Sequence, residues 1–364
     1  PGTTTPVTSA VIYQTLLRQG VMGKRTITPG DLAQFGIRPG PNAPLSVVFG
    51  IQPDFVNPHS QQASLGIDRQ IGDFSVSTNY IFNRTRRVVR ILDRNLVKVG
   101  TRADARLPIY GFKNPLLNQL NIFESTANVF YHAFTASLNK RFSRHFSLDA
   151  NYTLSKAMDE VTDFNSDFQP NDQLNAKAER ALSAFDQRHR FVLSSVLESP
   201  LARGPSALAR IFADFTVAPI VVASSGRPFN VLLGYDNVND RHPNTHRPRG
   251  AGRNIGHGPD FFTLDLRVSK RFHLGRSEQA SLQVIAEGFN LLNRTNFRNI
   301  NNTVGCIGSE SGPFFPPDYS GCTAGAAENL PRPLVGRRVF PTNPLAFTST
   351  FDPRQFQFGL KITF

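Results

Sequence analysis

The stretch RQFQFGLKITF, residues 354–364, decides how the rest is read. Phe356, Phe358, Leu360, Ile362 and Phe364 are apolar, while Gln355, Gln357, Gly359, Lys361 and Thr363 between them are polar or small. A period of two puts every apolar side chain on one face of a β-strand. One face needs an oily phase and the other needs water. A protein core or a lipid bilayer supplies the first.

Working outward, the same alternation recurs. Ala63, Leu65 and Ile67 oppose Ser64, Gly66 and Asp68. Phe74, Val76, Tyr80 and Phe82 oppose Ser75, Ser77, Asn79 and Asn83, with Ile81 breaking the pattern. Phe134, Ala136, Leu138 and Phe142 oppose Thr135, Ser137, Asn139 and Arg141. Phe146, Leu148, Ala150, Tyr152 and Leu154 oppose Ser147, Asp149, Asn151, Thr153 and Ser155. Phe262, Leu264, Leu266 and Val268 oppose Thr263, Asp265, Arg267 and Ser269. Further strands are predicted near residues 188–198, 210–224 and 279–291, giving about nine of the length that spans a membrane as β-structure. The fold class expected is all-β, an antiparallel up-and-down transmembrane barrel.

Composition narrows the alternatives. The longest apolar run, residues 215–223, includes Thr216 and Pro219 and is far short of the ~20 residues of a spanning helix. The opening PGTTTPVTSA is not a signal peptide. Net charge is +13, but the basic residues are scattered rather than clustered, so nucleic acid is not an expected partner. Cys306 and Cys322 lie close together in a Gly/Pro-rich loop without nearby ligands at zinc spacing, and a disulfide is expected.

Connection lengths separate a membrane barrel from a soluble sandwich. Short links near residues 70–73, 143–145, 199–207 and 275–278 alternate with long ones near 91–128, 159–187, 235–260 and 293–353. Outer-membrane barrels sort loops this way, with tight turns in the periplasm and long loops outside. The last strand then runs inward to the periplasmic rim. Counting back, the strand near 61–70 also runs inward, and residues 1–60 begin outside the cell. Leu45–Ile51 is available to supply a missing strand, although it shows no alternation. The expected division is 1–60 as extracellular loop or partial strand and 61–364 as barrel, with an open edge implying part of a larger barrel.

Seven stretches are more specific: VNPHSQQASLGIDRQ (56–70), FYHAFTASLNKRFSRHFSLDANYTLSKAMDE (130–160), DFNSDFQPND (163–172), FDQRHRFVLSSV (185–196), SSGRPFNVLLGYD (224–236), FTLDLRVSKRF (262–272) and EGFNLLNRTNF (287–297). Their order resembles the C-terminal barrel of TonB-dependent outer-membrane receptors, most closely the Oar-like type, over residues 55–364. The resemblance implies a parent barrel of about 22 strands. It also implies a plug domain, a TonB box and often a carboxypeptidase-regulatory-like front domain, none of which these residues contain. It further implies that the Phe356, Phe358 and Phe364 strand is read by the barrel-assembly machinery. The TonB complex is a partner through the missing N-terminal part. A small molecule, glycan or peptide is the ligand, and outer-membrane lipid and lipopolysaccharide are the surroundings. A surface or adhesion barrel that transports nothing is the alternative function.

Motifs of catalysis (HExxH, GxSxG, Walker A, CxxC) are absent, so neither an enzyme nor a cofactor is expected. Gly250, Gly252 and Gly256 follow no βαβ unit and read as a loop. The acidic stretch after Lys156 offers Asp159, Asp163 and Asp167 as oxygen ligands for a cation, without the spacing or glycine of an EF-hand. The competing expectation is that these acids pair with arginines. Asp186, Arg188, His189 and Arg190 are expected at the lumen or rim in charge pairs. Asp149, Asp265, Arg267, Glu287 and Lys361 are expected to face the lumen. With 31 Phe, 7 Tyr and no Trp, the interfacial girdles are expected to be Phe and Tyr.

Overall fold

The computed structural model describes residues 17–18, 20, 46–101, 107–115, 117–161, 169–199, 207–234, 236–242, 245–248, 251–274, 280–304 and 344–364. Cys306, Cys322, Asp163, Asp167 and Gly250 lie outside the described residues.

The strands are β1 (Ser46–Ile51), β2 (His59–Ile71), β3 (Phe74–Asp93), β4 (Leu96–Thr101), β5 (Pro108–Phe112), β6 (Leu117–Ser143), β7 (Phe146–Asp159), β8 (Ala181–Leu182), β9 (His189–Glu198), β10 (Phe215–Ser224), β11 (Pro228–Phe229), β12 (Gly256–His257), β13 (Phe261–His273), β14 (Ser281–Phe289), β15 (Phe297–Ile300), β16 (Phe347–Thr350) and β17 (Gln355–Thr363). Nine of them form one wall in the order β17-β14-β13-β10-β9-β7-β6-β3-β2, each antiparallel to its neighbours. These are the nine strands expected from the alternation. The sheet is open, with β2 and β17 at its edges.

Register keeps the apolar sets in phase across the whole wall. Leu65 pairs with Tyr80, Tyr80 with Phe134, and Phe134 with Leu154. Val217 pairs with Val268, Val268 with Ala286, and Ala286 with Phe358. Slipping any pairing by one residue would turn a whole strand's apolar set to the wrong face. The apolar set is exposed even on interior strands: Tyr80 is 45% exposed, Phe134 43% and Leu154 40%. A contiguous apolar band on this scale needs lipid as its solvent.

The two rims differ. At one end, Gly72 (φ 59°) helps close β2 onto β3, and Arg144 and His145 (φ 48° and 70°) close β6 onto β7. Two consecutive positive φ values suit the right-handed twist of a two-residue hairpin. The link from β9 to β10 carries a short helix, Ala207–Phe212, so β10 begins at Phe215 rather than near 210.

At the other end the chain is folded where the sequence suggested loops. Residues 91–128 are not a long loop. β3 is 20 residues long and β6 is 27, and they stay paired as far as Asp93 and Asn121. Register shifts around Arg86, Val88 and Val89, with Arg87 at φ 59°, separate the membrane part from this extension. Beyond the bulge Arg90, Ile91, Leu92 and Asp93 are buried. The β4–β5 hairpin packs here, and Leu96, Tyr110 and Val238 form a small core with Leu107 and Phe112 against it. β1 pairs in parallel with the first part of β6, Val47 with Gln119 through Ile51 with Phe123. The strand sought near residues 45–51 is β1, Ser46–Ile51, and it joins this extension, not the open edge of the wall.

Candidate functional site

The long-loop rim carries a polar cap over the wall. Beside the small apolar core, its loops are tied together by buried ion pairs. Glu179, in a 3-10 turn (Ala176–Glu179), accepts two bonds from the Arg247 guanidinium at 2.9 and 2.6 Å. It also accepts the Asn171 amide at 3.0 Å. Arg253 donates its Nε to the Glu179 carbonyl at 2.8 Å and its Nη2 to Asp159. Arg90 donates to Glu160 at 2.8 Å and to the Ala176 carbonyl at 2.7 Å. Arg94 pairs with Glu124. The Arg247–Glu179 pair leaves at most 8% of either side chain exposed, so burial is matched by bidentate geometry. A cavity of about 30 Å³, enough for one water, lies among Arg90, Glu160, Glu179, Arg247 and Arg253.

Tyr110 ties the hairpin to two loops. Its hydroxyl donates to Asp172 at 3.0 Å and accepts the Gln173 amide at 2.9 Å. Its amide donates to the Val238 carbonyl at 2.9 Å. Burial, with the charge and bond of Asp172, holds the phenol well above its ordinary pKa, so it stays a donor. Arg241 stacks its guanidinium 3.5 Å from the centre of the Phe112 ring.

Beside the cap is a larger groove of about 680 Å³, lined by Arg227, Phe229, Phe261, Phe297, Arg298 and Phe351 among others. Its floor depends on close backbone approach. A Cβ on Gly226 would lie 1.8 Å from the Gly258 carbonyl oxygen, and one on Gly256 would lie 2.5 Å from the Phe229 ring. The Gly226 amide donates to Asp260 at 2.8 Å, and the Gly258 amide to the Arg227 carbonyl at 2.9 Å. Phe261 meets Phe351 edge-on at 5.1 Å, and Phe297 stacks on Phe347 at 3.8 Å. Aromatic faces beside two guanidinium groups can hold a flat or anionic molecule by stacking and charge.

The residues singled out by sequence are placed as follows. Asp159 is bound by Arg253, 94 residues away, and Glu160 by Arg90, which is the arginine pairing weighed against a cation. Asp149, Asp265, Arg267, Glu287 and Lys361 all alternate with the outward apolar set on their strands. Asp149 accepts from Asn139 at 3.1 Å and from Asn151. Asp265 accepts the Asn290 amide at 2.8 Å. Arg267 pairs with Glu287 at 3.5 Å, while Lys361 stands opposite Gln283. These are local pairs between adjacent strands.

Asp186 and Arg188 pair at 3.4 Å. His189 does not join them. It lies on the apolar face, where its Nδ1 is 2.8 Å from the Tyr152 hydroxyl. Tyr80 and His132 repeat the arrangement at 2.7 Å. His therefore joins Tyr at this interface, which the residue counts alone did not suggest. A cross-strand check of parity would have found it. Phe356 and Phe358 lie on the apolar face of β17, and Phe364 follows it fully exposed.

An apolar outer band, a polar inner face and loops sorted by rim define the wall of an outer-membrane β-barrel. The chain belongs to the outer membrane beta-barrel domain family, whose model matches residues 2–252 and 243–315. The protein is accordingly one of the bacterial outer membrane. No curated protein matches it by sequence. Among solved structures it is similar to the outer membrane transporter YddB from Escherichia coli, at 12% identity and a TM-score of 0.42, covering 70% of this chain and 31% of that one. It is also similar to the FrpB iron transporter from Neisseria meningitidis, at 10% identity, TM-score 0.39, 68% and 29% coverage. A third is the ferripyoverdine receptor of the outer membrane of Pseudomonas aeruginosa, at 13% identity, TM-score 0.39, 67% and 24% coverage. The chain thus spans less than a third of the length of each.

Proposed function

We propose that residues 61–364 are barrel wall of a TonB-dependent receptor of the Oar-like type, and that residues 1–60 lie with the extracellular loops. The observation that carries this reading is the mouth: long loops folded by buried ion pairs beside a groove of phenylalanines and arginines. A rigid, chemically patterned mouth suits capture of a specific ligand, a small molecule, glycan or peptide. The sequence motifs quoted above support the same family. The role is binding and passage, without bond-making. Asp149, Asp265, Arg267 and Glu287 face the lumen, where a plug would sit. Lipid meets the phenylalanine face, lipopolysaccharide phosphates meet loop arginines, and the barrel-assembly machinery reads β17. The inner-membrane TonB complex acts through a segment outside this chain.

The test is the coding sequence upstream of Pro1. A signal peptide, a plug and a TonB box in frame support the receptor. A gene lacking plug and TonB box contradicts it and favours a surface barrel with an adhesive mouth.

A further inference from the structure

In the loop DNVNDRH, residues 236–242, Val238 and Arg241 serve the cap, whereas Asp236 and Asp240 are used by none of the roles above. The loop folds back so that Asp236, Asp240 and His246 bring one ligand atom each within 4.8 Å of one another. His246 Nε2 is 2.9 Å from Asp240 Oδ1 and 3.5 Å from Asp236 Oδ1. Asp236 is held rigidly. Its Oδ1 accepts the amides of Val238 and Asn239 at 3.0 and 2.6 Å, and its Oδ2 accepts that of Arg241 at 2.7 Å. Asp240 Oδ1 accepts the His242 amide at 2.8 Å.

A second observation points to a ligand. Asp240 and His246 are both fully buried, yet Asp240 Oδ2 has no hydrogen-bond partner among the described residues. Buried polar atoms are nearly always satisfied, and an orphaned carboxylate oxygen is expensive. Two carboxylates around one imidazole also leave an excess of negative charge if the ring is neutral. One divalent cation held by the Asp236 and Asp240 carboxylates and His246 Nε2 gives the Asp240 carboxylate its missing partner and offsets the charge. We propose that Asp236, Asp240 and His246 form a divalent cation site that staples the β10–β13 loop over the small core of Leu96, Tyr110 and Val238. An imidazole among carboxylates, three ligands in all, suits a transition ion of the zinc class completed by water, rather than calcium, which favours oxygen alone.

The test uses the detergent-solubilised protein with its complete chain, stripped with EDTA and titrated with Zn²⁺ alone. Expected are one tightly bound zinc per chain and at least a tenfold slower cleavage of the cap loops by protease. Asp240→Asn and His246→Gln should each weaken zinc binding at least tenfold, while His145→Ala, in the opposite rim, should not. Retained heat-modifiable gel mobility shows that each variant still forms its barrel. Because Asp236→Asn keeps its shape and one acceptor oxygen, it provides a milder variant that should weaken binding without unfolding the loop. No stoichiometric zinc, equal binding by wild type and variants, or selective Ca²⁺ binding in its place overturns the proposal.

Discussion

At the scale of single residues the wall obeys one rule, parity. Phe358 points out from β17 opposite Ala286, whereas Gln357, one step away, points inward opposite Glu287. Phe358→Lys places a charge in hydrocarbon and should cost about 2–4 kcal/mol near mid-membrane. Gln357→Lys adds the same charge beside Glu287 on the wet face and should be tolerated. The amount of heat-modifiable, folded protein in outer-membrane fractions checks the contrast, and equal losses from both would contradict the facing. Gly226 makes a different point. Gly226→Ala drives a methyl into the Gly258 carbonyl, which is backbone and cannot rotate away, so relief requires the two segments to separate. A loss of about 1–3 kcal/mol is expected, read as a lower thermal midpoint, together with an opened groove.

At the scale of elements, strands and loops are stabilised by different physics. The spanning strands gain from apolar side chains leaving water, about 1.5–3 kcal/mol for each large one. The cap combines a small apolar core, with Ile91, Leu92, Leu96, Tyr110 and Val238 buried, with Arg90, Arg247 and Arg253 meeting Glu160, Glu179 and Asp159. Glu179→Ala leaves Arg247 buried without its carboxylate, while the bond from Arg253 to the backbone carbonyl of residue 179 remains. Breaking a buried pair this way costs about 3–5 kcal/mol. The expected result is rapid protease cleavage of cap loops on intact cells, with the wall still folded. Unchanged cleavage would mean that the ion pairs do not hold the cap.

The same division explains what could be read beforehand. Nine wall strands were legible because lipid on one side and water on the other impose a period of two, and a period survives without knowledge of partners. Phe356–Phe364 displayed it in full. The β3 and β6 extensions were hidden because, past the Arg87 bulge, neither face is lipid and the alternation fades. β1 gave no pattern, since it pairs in parallel with the first part of β6 and not with the open edge of the wall. Asp159 looked like a ligand because Arg253, 94 residues away, was invisible as its partner. The cluster of Asp236, Asp240 and His246 is also illegible in the sequence. Its local signal, two aspartates four apart with a histidine six further on, means little until the loop is folded.

At the scale of the whole molecule, the central claim is that one face of a nine-stranded wall meets hydrocarbon and the other meets water. Everything proposed about the mouth depends on that orientation. The direct test is a scan of single cysteines from Gln355 to Thr363 in outer-membrane-inserted protein whose own Cys306 and Cys322 are replaced by serine. Each cysteine carries an environment-sensitive fluorophore, and brominated lipid acts as quencher. The account predicts strong quenching at 356, 358, 360 and 362 and little at 355, 357, 359, 361 and 363. Uniform quenching, or no quenching along the strand, would contradict it.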